Sequence, residues 1–180
     1  METRSVHYRK EHRAQNALKW LFAGLVGLGA VLFVLFVWFS PVYVADASMD
    51  PTLQKGDTIF YDRLYHHFNA YARGDMIVFR DPQTGSLLIK RITALEGETV
   101  EARDGTLVID GKYGVDEHLY KPSKPLDFSK VKVPEGCVFV LSDDRNYGED
   151  SRNENIGCLK ETDILGIVRI RLRDFKLFTS

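Results

Sequence analysis

The chain has 180 residues, which is enough for one domain and an appendage. Its formal net charge of −1 at pH 7 argues against a nucleic-acid partner, because nucleic-acid-binding domains usually carry a basic excess. The two cysteines, Cys137 and Cys158, do not have a metal-ligand spacing, and the sequence leaves open whether they pair or stay free. Gly-rich phosphate-binding motifs are also missing, so we expect neither a metal nor another cofactor.

The amino-terminal part is a basic tail followed by an apolar stretch. Residues 1–19 hold five Lys or Arg and two Glu, whereas residues 20–39, Trp20 to Phe39, contain no charge and are almost wholly apolar. About 20 apolar residues match the thickness of a bilayer core, and tryptophan favours the membrane interface. We therefore expect a transmembrane anchor over residues 20–40. The basic tail should stay in the cytoplasm, which places residues 41–180 outside it.

A cleaved signal peptide is the alternative interpretation of this region. Ala45-Asp46-Ala47 has the small-x-small form of a cleavage site, behind a basic and then an apolar segment. The apolar stretch is longer than the roughly 7–15 residues of a signal peptide, and the site lies several residues beyond its end. We therefore favour a retained anchor. Cutting after Ala47 would leave Ser48 as a new amino terminus, so self-cleavage stays an open question.

Beyond Pro41, which ends the helical pattern, the sequence changes to short β-type segments separated by Gly, Asp and Pro. Asp104-Gly105 predicts a hairpin, and apolar residues alternate with arginines near the carboxyl end, as in a half-buried strand. Residues 114–131 are Lys- and Pro-rich and are predicted as a loop. Strands are predicted over residues 42–44, 58–61, 76–79, 86–94, 99–102, 107–109, 138–141 and 167–172. These elements predict one mainly β domain.

The candidate chemistry lies in two short stretches, one around Ser48 and one around Lys90. A serine hydroxyl is a poor nucleophile until a base takes its proton, and the sequence offers no convincing His/Asp set for this role. Lys90 lies in an apolar strand, where burial disfavours the ammonium form and makes the amine available as a base. A Ser–Lys pair is a known variant of the catalytic triad. Taken singly, such residues are mostly an ordinary loop serine and a solvated strand lysine, and it is their neighbours that favour the catalytic interpretation.

Two further segments stand beside those of Ser48 and Lys90, one beginning at Arg73 and one at Ser142. The four segments together resemble the boxes of the type I signal peptidases, a family of serine–lysine dyad peptidases. Each segment is a weak signal alone, but the four follow in the family's order behind an amino-terminal anchor. The single span and short soluble domain look most like the Gram-positive members. The segments are Ser48-Met49-Asp50-Pro51-Thr52-Leu53, Arg73-Gly74-Asp75-Met76-Ile77-Val78-Phe79, Leu88-Ile89-Lys90-Arg91-Ile92 with Gly97, and Ser142-Asp143-Asp144-Arg145 followed by Asp150-Ser151-Arg152.

The resemblance implies a fold, an activity and a set of roles. The fold would be one transmembrane helix followed by an extracytoplasmic antiparallel β domain. The enzyme would remove signal peptides from secreted pre-proteins after a small-x-small site, with the bilayer and the secretion translocon as further partners. Ser48 would be the nucleophile and Lys90 its base, and the backbone N–H of Ser48 would meet the oxyanion. Shallow apolar walls for substrate would be formed by Val44, Met49, Leu53, Ile59, Val78 and Ile89. Support of the site would come from Arg145, Asp150, Ser151 and Arg152.

Two positions depart from the family pattern. Asp46 stands two residues before the nucleophile, where the family often has a hydroxyl or a glycine. An ionised carboxylate only accepts hydrogen bonds, so the second oxyanion donor is unidentified. Gly148 stands where a serine often touches the lysine, which leaves Ser151, water or packing to orient Lys90. Ser142 in place of the usual glycine is a milder change.

Two alternative functions remain open. One is another Ser–Lys processing peptidase, such as a self-cleaving repressor or a pilin-processing enzyme, although a repressor normally carries a DNA-binding head. The other is a non-catalytic, membrane-tethered domain that binds secreted chains or cell-wall material. The departures at Asp46 and Gly148 keep this second alternative under consideration.

Overall fold

The computed structural model describes residues 3–113, 127–173 and 176–178, and the chain divides into two compact units, Met1–Trp38 and Phe39–Ser180. The first unit is a single helix, α1 (Thr3–Trp38). Its segment Leu18–Trp38 is the one helical stretch of the described residues that is long and apolar enough to cross a membrane. The predicted apolar helix at the amino terminus is therefore present, and the helical conformation reaches back through most of the basic tail.

The helix ends two residues earlier than the predicted anchor boundary. Phe39 and Ser40, which the prediction assigned to the anchor over residues 20–40, belong to the first strand instead. The cause is Pro41, because a proline disfavours helical geometry at the residue before it and cannot donate a backbone hydrogen bond.

The second unit consists of two antiparallel sheets, which confirms the mainly β prediction. The larger sheet has the order β1-β2-β11-β3-β4-β9-β10, with β12 paired to β11, and the smaller one has the order β7-β6-β5-β8. The strands are β1 (Phe39–Tyr43), β2 (Thr58–Asp62), β3 (Met76–Arg80), β4 (Leu87–Ala94), β5 (Thr99–Arg103), β6 (Thr106–Ile109), β7 (Lys112–Tyr113), β8 (Phe128–Lys132), β9 (Cys137–Leu141), β10 (Leu159–Lys160), β11 (Ile164–Arg171) and β12 (Lys176–Leu177).

All eight predicted strands are found, but the predicted loop over residues 114–131 is partly wrong. Its last residues belong to β8, which pairs with β5. Residues 114–126 lie outside the described part of the chain. Strand β8 has little burial of its own and gains its conformation from a distant partner, so its local sequence carries a weak strand signal. The strands β7, β10 and β12 were also missed, because each has only two residues and is too short to show an alternating pattern.

Strand β4 is the central element for the site. It lies between β3 and β9, and all of its residues after Leu87 are buried. A long loop, residues 44–57, connects β1 to β2 and is called the serine loop below. Two backbone hydrogen bonds close its base, Val44 N to Asp57 O at 2.9 Å and Gly56 N to Val44 O at 3.0 Å. The two ends of the serine loop are thus held together where the loop leaves and rejoins the sheet.

The two cysteines are both free in the structure. Cys137 on β9 is buried in an apolar cluster with residues of β5 and β6, and Cys158 is partly buried against that cluster. Burial, reinforced by the neighbouring Cys137, raises the pKa of the Cys158 thiol. A raised pKa makes a thiol less nucleophilic, so Cys158 does not resemble a reactive site.

We expect Gly166→Ala to destabilise the protein. Gly166 lies at the irregularity of β11 between β2 and β3, and a Cβ there would overlap the backbone carbonyl of Asp62 and stand 2.7 Å from a ring carbon of Tyr61. Because backbone atoms cannot move aside cheaply, the loss should be about 1–3 kcal/mol. Chemical unfolding of the full chain in detergent measures it. Gly148→Ala is the matched control, since its Cβ would meet nothing within 4 Å. Equal stability of the two variants would contradict the expectation.

Candidate active site

Ser48 and Lys90 lie together although they are 42 positions apart in the chain. The Nζ atom of Lys90 donates to the Oγ atom of Ser48 at 2.7 Å. Ser48 is 3% exposed and Lys90 is 0% exposed, so the contact is screened from bulk water. Ser48 sits in the serine loop, and its carbonyl accepts a hydrogen bond from Asp144 N at 2.9 Å. The pair predicted from the sequence is therefore within proton-transfer distance.

The environment of Lys90 favours the neutral amine. Burial lowers the pKa of Lys90 below its usual value, because an ammonium ion loses its hydration there. The negative charges of Asp46, Asp150 and Glu149 oppose this effect, and the positive charge of Arg152 adds to it. The net pKa is lowered, so the amine becomes a base at a less alkaline pH than a surface lysine would.

Asp46 contacts the nucleophile directly. Its Oδ1 atom accepts the backbone N–H of Ser48 at 2.8 Å. Burial alone would raise the pKa of Asp46, but hydrogen bonding to Ser48 and the charge of Lys90 lower it. The N–H that we expected to meet the oxyanion therefore already has an acceptor, and that acceptor is a carboxylate.

A buried network that the sequence analysis missed joins three parts of the site. Arg91 makes a two-pronged ion pair with Asp143, with Nε to Oδ1 at 2.8 Å and Nη2 to Oδ2 at 2.6 Å. It also donates to Gly74 O at 2.7 Å, and Thr52 Oγ1 donates to Asp143 at 2.6 Å. Strand β4, the serine loop and the segment after β9 are thereby held together. The sequence offered one signal for this network. Arg91 follows Lys90 in an apolar strand and Asp143 lies in the last box, so two opposite charges in the site segments could have been expected to pair.

The predicted support residues cluster in the loop of residues 142–152, called the β9 loop below. Asp150 is fully buried and accepts from Ser142 N at 3.0 Å and from Arg152 Nε at 2.8 Å. Arg152 in turn donates to the carbonyl of Arg145 at 2.9 Å. These contacts fold the β9 loop onto itself.

Ser151 fastens the same loop to the sheet. Its Oγ accepts the N–H of Val140 at 2.9 Å, and its own N–H donates to Val140 O at 3.0 Å. Both groups thus bind the edge of β9. Ser151 therefore contributes to the placement of the β9 loop.

Ser142 stands opposite Lys90 in the register that pairs Arg91 with Leu141. Residues opposite each other in a sheet share a face, so the Ser142 side chain is on the Lys90 side. Its hydroxyl is buried and has no hydrogen-bond partner among the described residues. Gly148 supplies no side chain, and open space surrounds its Cα. The structure thus places a buried hydroxyl opposite Lys90 in the sheet and no side chain at position 148.

The six residues predicted to line substrate walls fall into one buried cluster. Val44, Met49, Leu53, Ile59, Val78 and Ile89 pack together, joined by Tyr61, Met76 and Val168, which the prediction omitted. Met49 follows Ser48 and Ile89 precedes Lys90, so the cluster borders the pair. Because consecutive strand residues point to opposite faces, this cluster lies on the other face of β4 from Lys90.

Within the described ranges, no group of three or more His, Cys, Asp or Glu side chains is placed to hold a metal ion. We therefore assign no described residue to a metal.

Known proteins similar to this chain are signal peptidases. Residues 17–173 match the family described as signal peptidase, peptidase S26. Signal peptidase I P of Bacillus subtilis subsp. natto is 29% identical over 168 residues, covering 88% of this chain and 90% of the relative. The probable signal peptidase I-1 of Synechocystis sp. is 35% identical over 150 residues, covering 79% and 75%. A crystal structure of a signal peptidase I from Enterococcus faecalis is 33% identical with a TM-score of 0.49, covering 55% of this chain and 97% of that one.

We expect Asp143→Ala to lower the free energy of unfolding by about 3–5 kcal/mol, because it leaves the buried charge of Arg91 without its partner. Arg73→Ala is the control, since it breaks the Arg73–Glu98 ion pair with an arginine side chain that is 48% exposed. That loss should stay within about 1 kcal/mol. Urea unfolding of both variants in the same detergent gives the comparison. A similar small loss in both would mean that the Arg91–Asp143 pair does not stabilise the site.

Proposed function

The chain belongs to the signal peptidase family of peptidase S26, and we propose that it performs the family's reaction with Ser48 as nucleophile and Lys90 as general base. It is a serine endopeptidase that removes signal peptides from precursor proteins. The observation that supports the residue assignment is the 2.7 Å contact between a serine hydroxyl and a fully buried lysine amine. Family membership argues against the alternative that the chain is a non-catalytic binding domain. A buried amine in contact with a serine hydroxyl also has no role in such a domain.

In the proposed first step, Ser48 Oγ attacks the carbonyl carbon of the scissile peptide bond and its proton passes to neutral Lys90. The tetrahedral oxyanion is then stabilised by the Ser48 N–H. Collapse of this intermediate breaks the carbon–nitrogen bond, and Lys90 returns the proton to the leaving amine. Water then attacks the ester carbonyl while Lys90 accepts a proton from it. The bond between the carbonyl carbon and Ser48 Oγ breaks, Lys90 returns the proton to Ser48 Oγ, and the signal peptide leaves with a free carboxyl group.

Specificity for small side chains is proposed to come from the buried apolar cluster beside the pair. Its members are almost fully packed against one another, so they can offer only shallow walls to a substrate. Shallow walls exclude large side chains by steric overlap, which favours small residues one and three positions before the cut. The cluster and Lys90 lie on opposite faces of β4, so substrate side chains and the general base would approach the scissile bond from different sides.

The cellular arrangement is proposed from the first unit. The family is membrane-anchored, and the apolar segment Leu18–Trp38 of α1 is a single stretch of spanning length. The basic excess of residues 1–19 would keep the amino terminus in the cytoplasm, with the β domain outside. In that position the enzyme meets the lipid bilayer and receives signal-peptide-bearing pre-proteins where the secretion translocon delivers them.

We expect Ser48→Ala, Lys90→Met and Lys90→Arg each to reduce cleavage of a pre-protein by at least about a thousandfold. Alanine removes the nucleophile, methionine removes the base, and a guanidinium stays protonated at any workable pH. Cleavage is measured with purified full-length enzyme in detergent, and thermal unfolding checks that each variant is folded. Lys130→Arg, on β8 away from the pair, is the matched control and should cut normally. Turnover by folded Lys90→Arg would refute lysine as the base.

We expect kcat/KM to rise with pH and then level off. Below the pKa of Lys90 the amine is protonated and cannot accept the Ser48 proton, so the rate should fall about tenfold per pH unit. Because burial lowers this pKa, the plateau should begin at a lower pH than for an exposed lysine. The measurement is a pH profile with a slow substrate, for which chemistry limits the rate. A flat profile between about pH 5 and 9 would contradict a titrating amine.

A further inference from the structure

The carboxylate of Asp46 occupies the hydrogen-bonding position that the reaction needs. Its Oδ1 lies 2.8 Å from the Ser48 nitrogen, on the N–H that serves as oxyanion donor. An oxyanion must approach that nitrogen to about 2.7–3.1 Å. The carboxylate oxygen and the oxyanion cannot both occupy the acceptor position on the Ser48 N–H. A bound substrate therefore has to displace the carboxylate before the tetrahedral intermediate is stabilised.

The negative charge of Asp46 also acts on the pair. Lys90 Nζ lies 2.7 Å from Ser48 Oγ, and the carboxylate bound to the Ser48 N–H attracts the charge of Lys90. Catalysis requires the Ser48 proton to point at a neutral Lys90. The charge of Asp46 opposes the effect of burial and favours the ammonium form, which has no lone pair to accept that proton.

We propose that Asp46 is an internal occupant of the oxyanion position that holds Ser48 and Lys90 in a resting state until substrate displaces it. This inference rests on the proposed roles of Ser48 and Lys90. It explains why an acceptor-only side chain stands where a donor or a glycine is usual in the family. Asp46 does not touch the substrate in this proposal. It influences the reaction through its contact with Ser48 and its charge near Lys90, and is therefore a positioning residue.

A carboxylate that accepts the N–H two residues ahead is also a common turn. That turn requires an acceptor oxygen and makes no demand on charge, so an asparagine would serve it equally. The resting-state role depends on the negative charge facing Lys90. Removal of the charge with the acceptor retained therefore separates the two roles.

Other charges around the pair are held elsewhere and stay in place in such a variant. Asp150 is bound by Arg152, Glu149 is exposed, and both remain to attract the Lys90 charge. Lys55 faces Asp46 from the same loop. Loss of the Asp46 charge thus removes one of several attractions on the ammonium, and its effect appears as a displacement of the pH profile.

The test compares full-length wild type, Asp46→Asn, Asp46→Gly and Asp50→Asn in detergent, with one pre-protein across a pH series. We expect both Asp46 variants to move the acidic limb of kcat/KM to lower pH by about one unit. Below the wild-type limb they should cut about tenfold faster. Asp50→Asn removes an equal charge from the same loop and should leave the limb where it is. A thermal unfolding scan establishes that each variant is folded. If Asp46→Gly proves to be unfolded, the result for Asp46→Asn alone decides the test.

An unmoved limb in Asp46→Asn would overturn the inference and leave Asp46 as a turn former. So would an equal shift in Asp50→Asn, which would make the effect one of general loop charge. Slower cleavage by Asp46→Asn at every pH would show that the carboxylate assists the reaction, which is also contrary to the proposal. Ser48→Ala is run beside them. If that variant still cuts, the assignment of Ser48 fails first and the limb shift is attributed to another nucleophile.

Discussion

The removal of one lysine amine from water is the constraint on which the rest of the site depends. Transfer of an ammonium ion into a protein interior costs several kcal/mol, and a lysine avoids this cost by releasing its proton. Lys90 is fully buried on the central strand β4 and faces Ser48 at 2.7 Å. The sheet around it supplies the dry setting, and the nearby carboxylates limit how far the pKa falls. The site is thus a balance between desolvation and a small number of negative charges.

The parts around the amine are fastened by ion pairs that are themselves buried. The pair of Arg91 and Asp143 connects β4 to the β9 loop, and Thr52 of the serine loop donates to the same Asp143. The pair of Asp150 and Arg152 closes the β9 loop. Such pairs contribute little net stability against an apolar replacement, but they fix geometry because each partner is costly to leave alone. A dyad that depends on a few tenths of an ångström needs this kind of support.

Much of the fold and the central pair could be predicted from the sequence. Ser48 and Lys90 were identified because each lies in a short motif, and the strands because apolar residues alternate or run together between turn residues. Strand β8 was missed because its pairing with β5 is distant in the chain, and the start of β1 at Phe39 was missed because the apolar pattern continues unbroken from the helix. The contact of Asp46 with the Ser48 N–H and the Arg91–Asp143 pair depend on loop conformation, which residue patterns do not specify.

Lys90 and Arg91 are neighbours on one strand with opposite electrostatic requirements. One must be able to lose its charge against a hydroxyl, and the other keeps its charge against a carboxylate on the reverse side. A slip of β4 by a single residue would exchange them, presenting a permanent cation to the serine and a titratable amine to Asp143. Chains with the wrong register would therefore be both unstable and inactive. The Lys90–Ser48 and Arg91–Asp143 contacts, on opposite faces of β4, thus both favour the correct register.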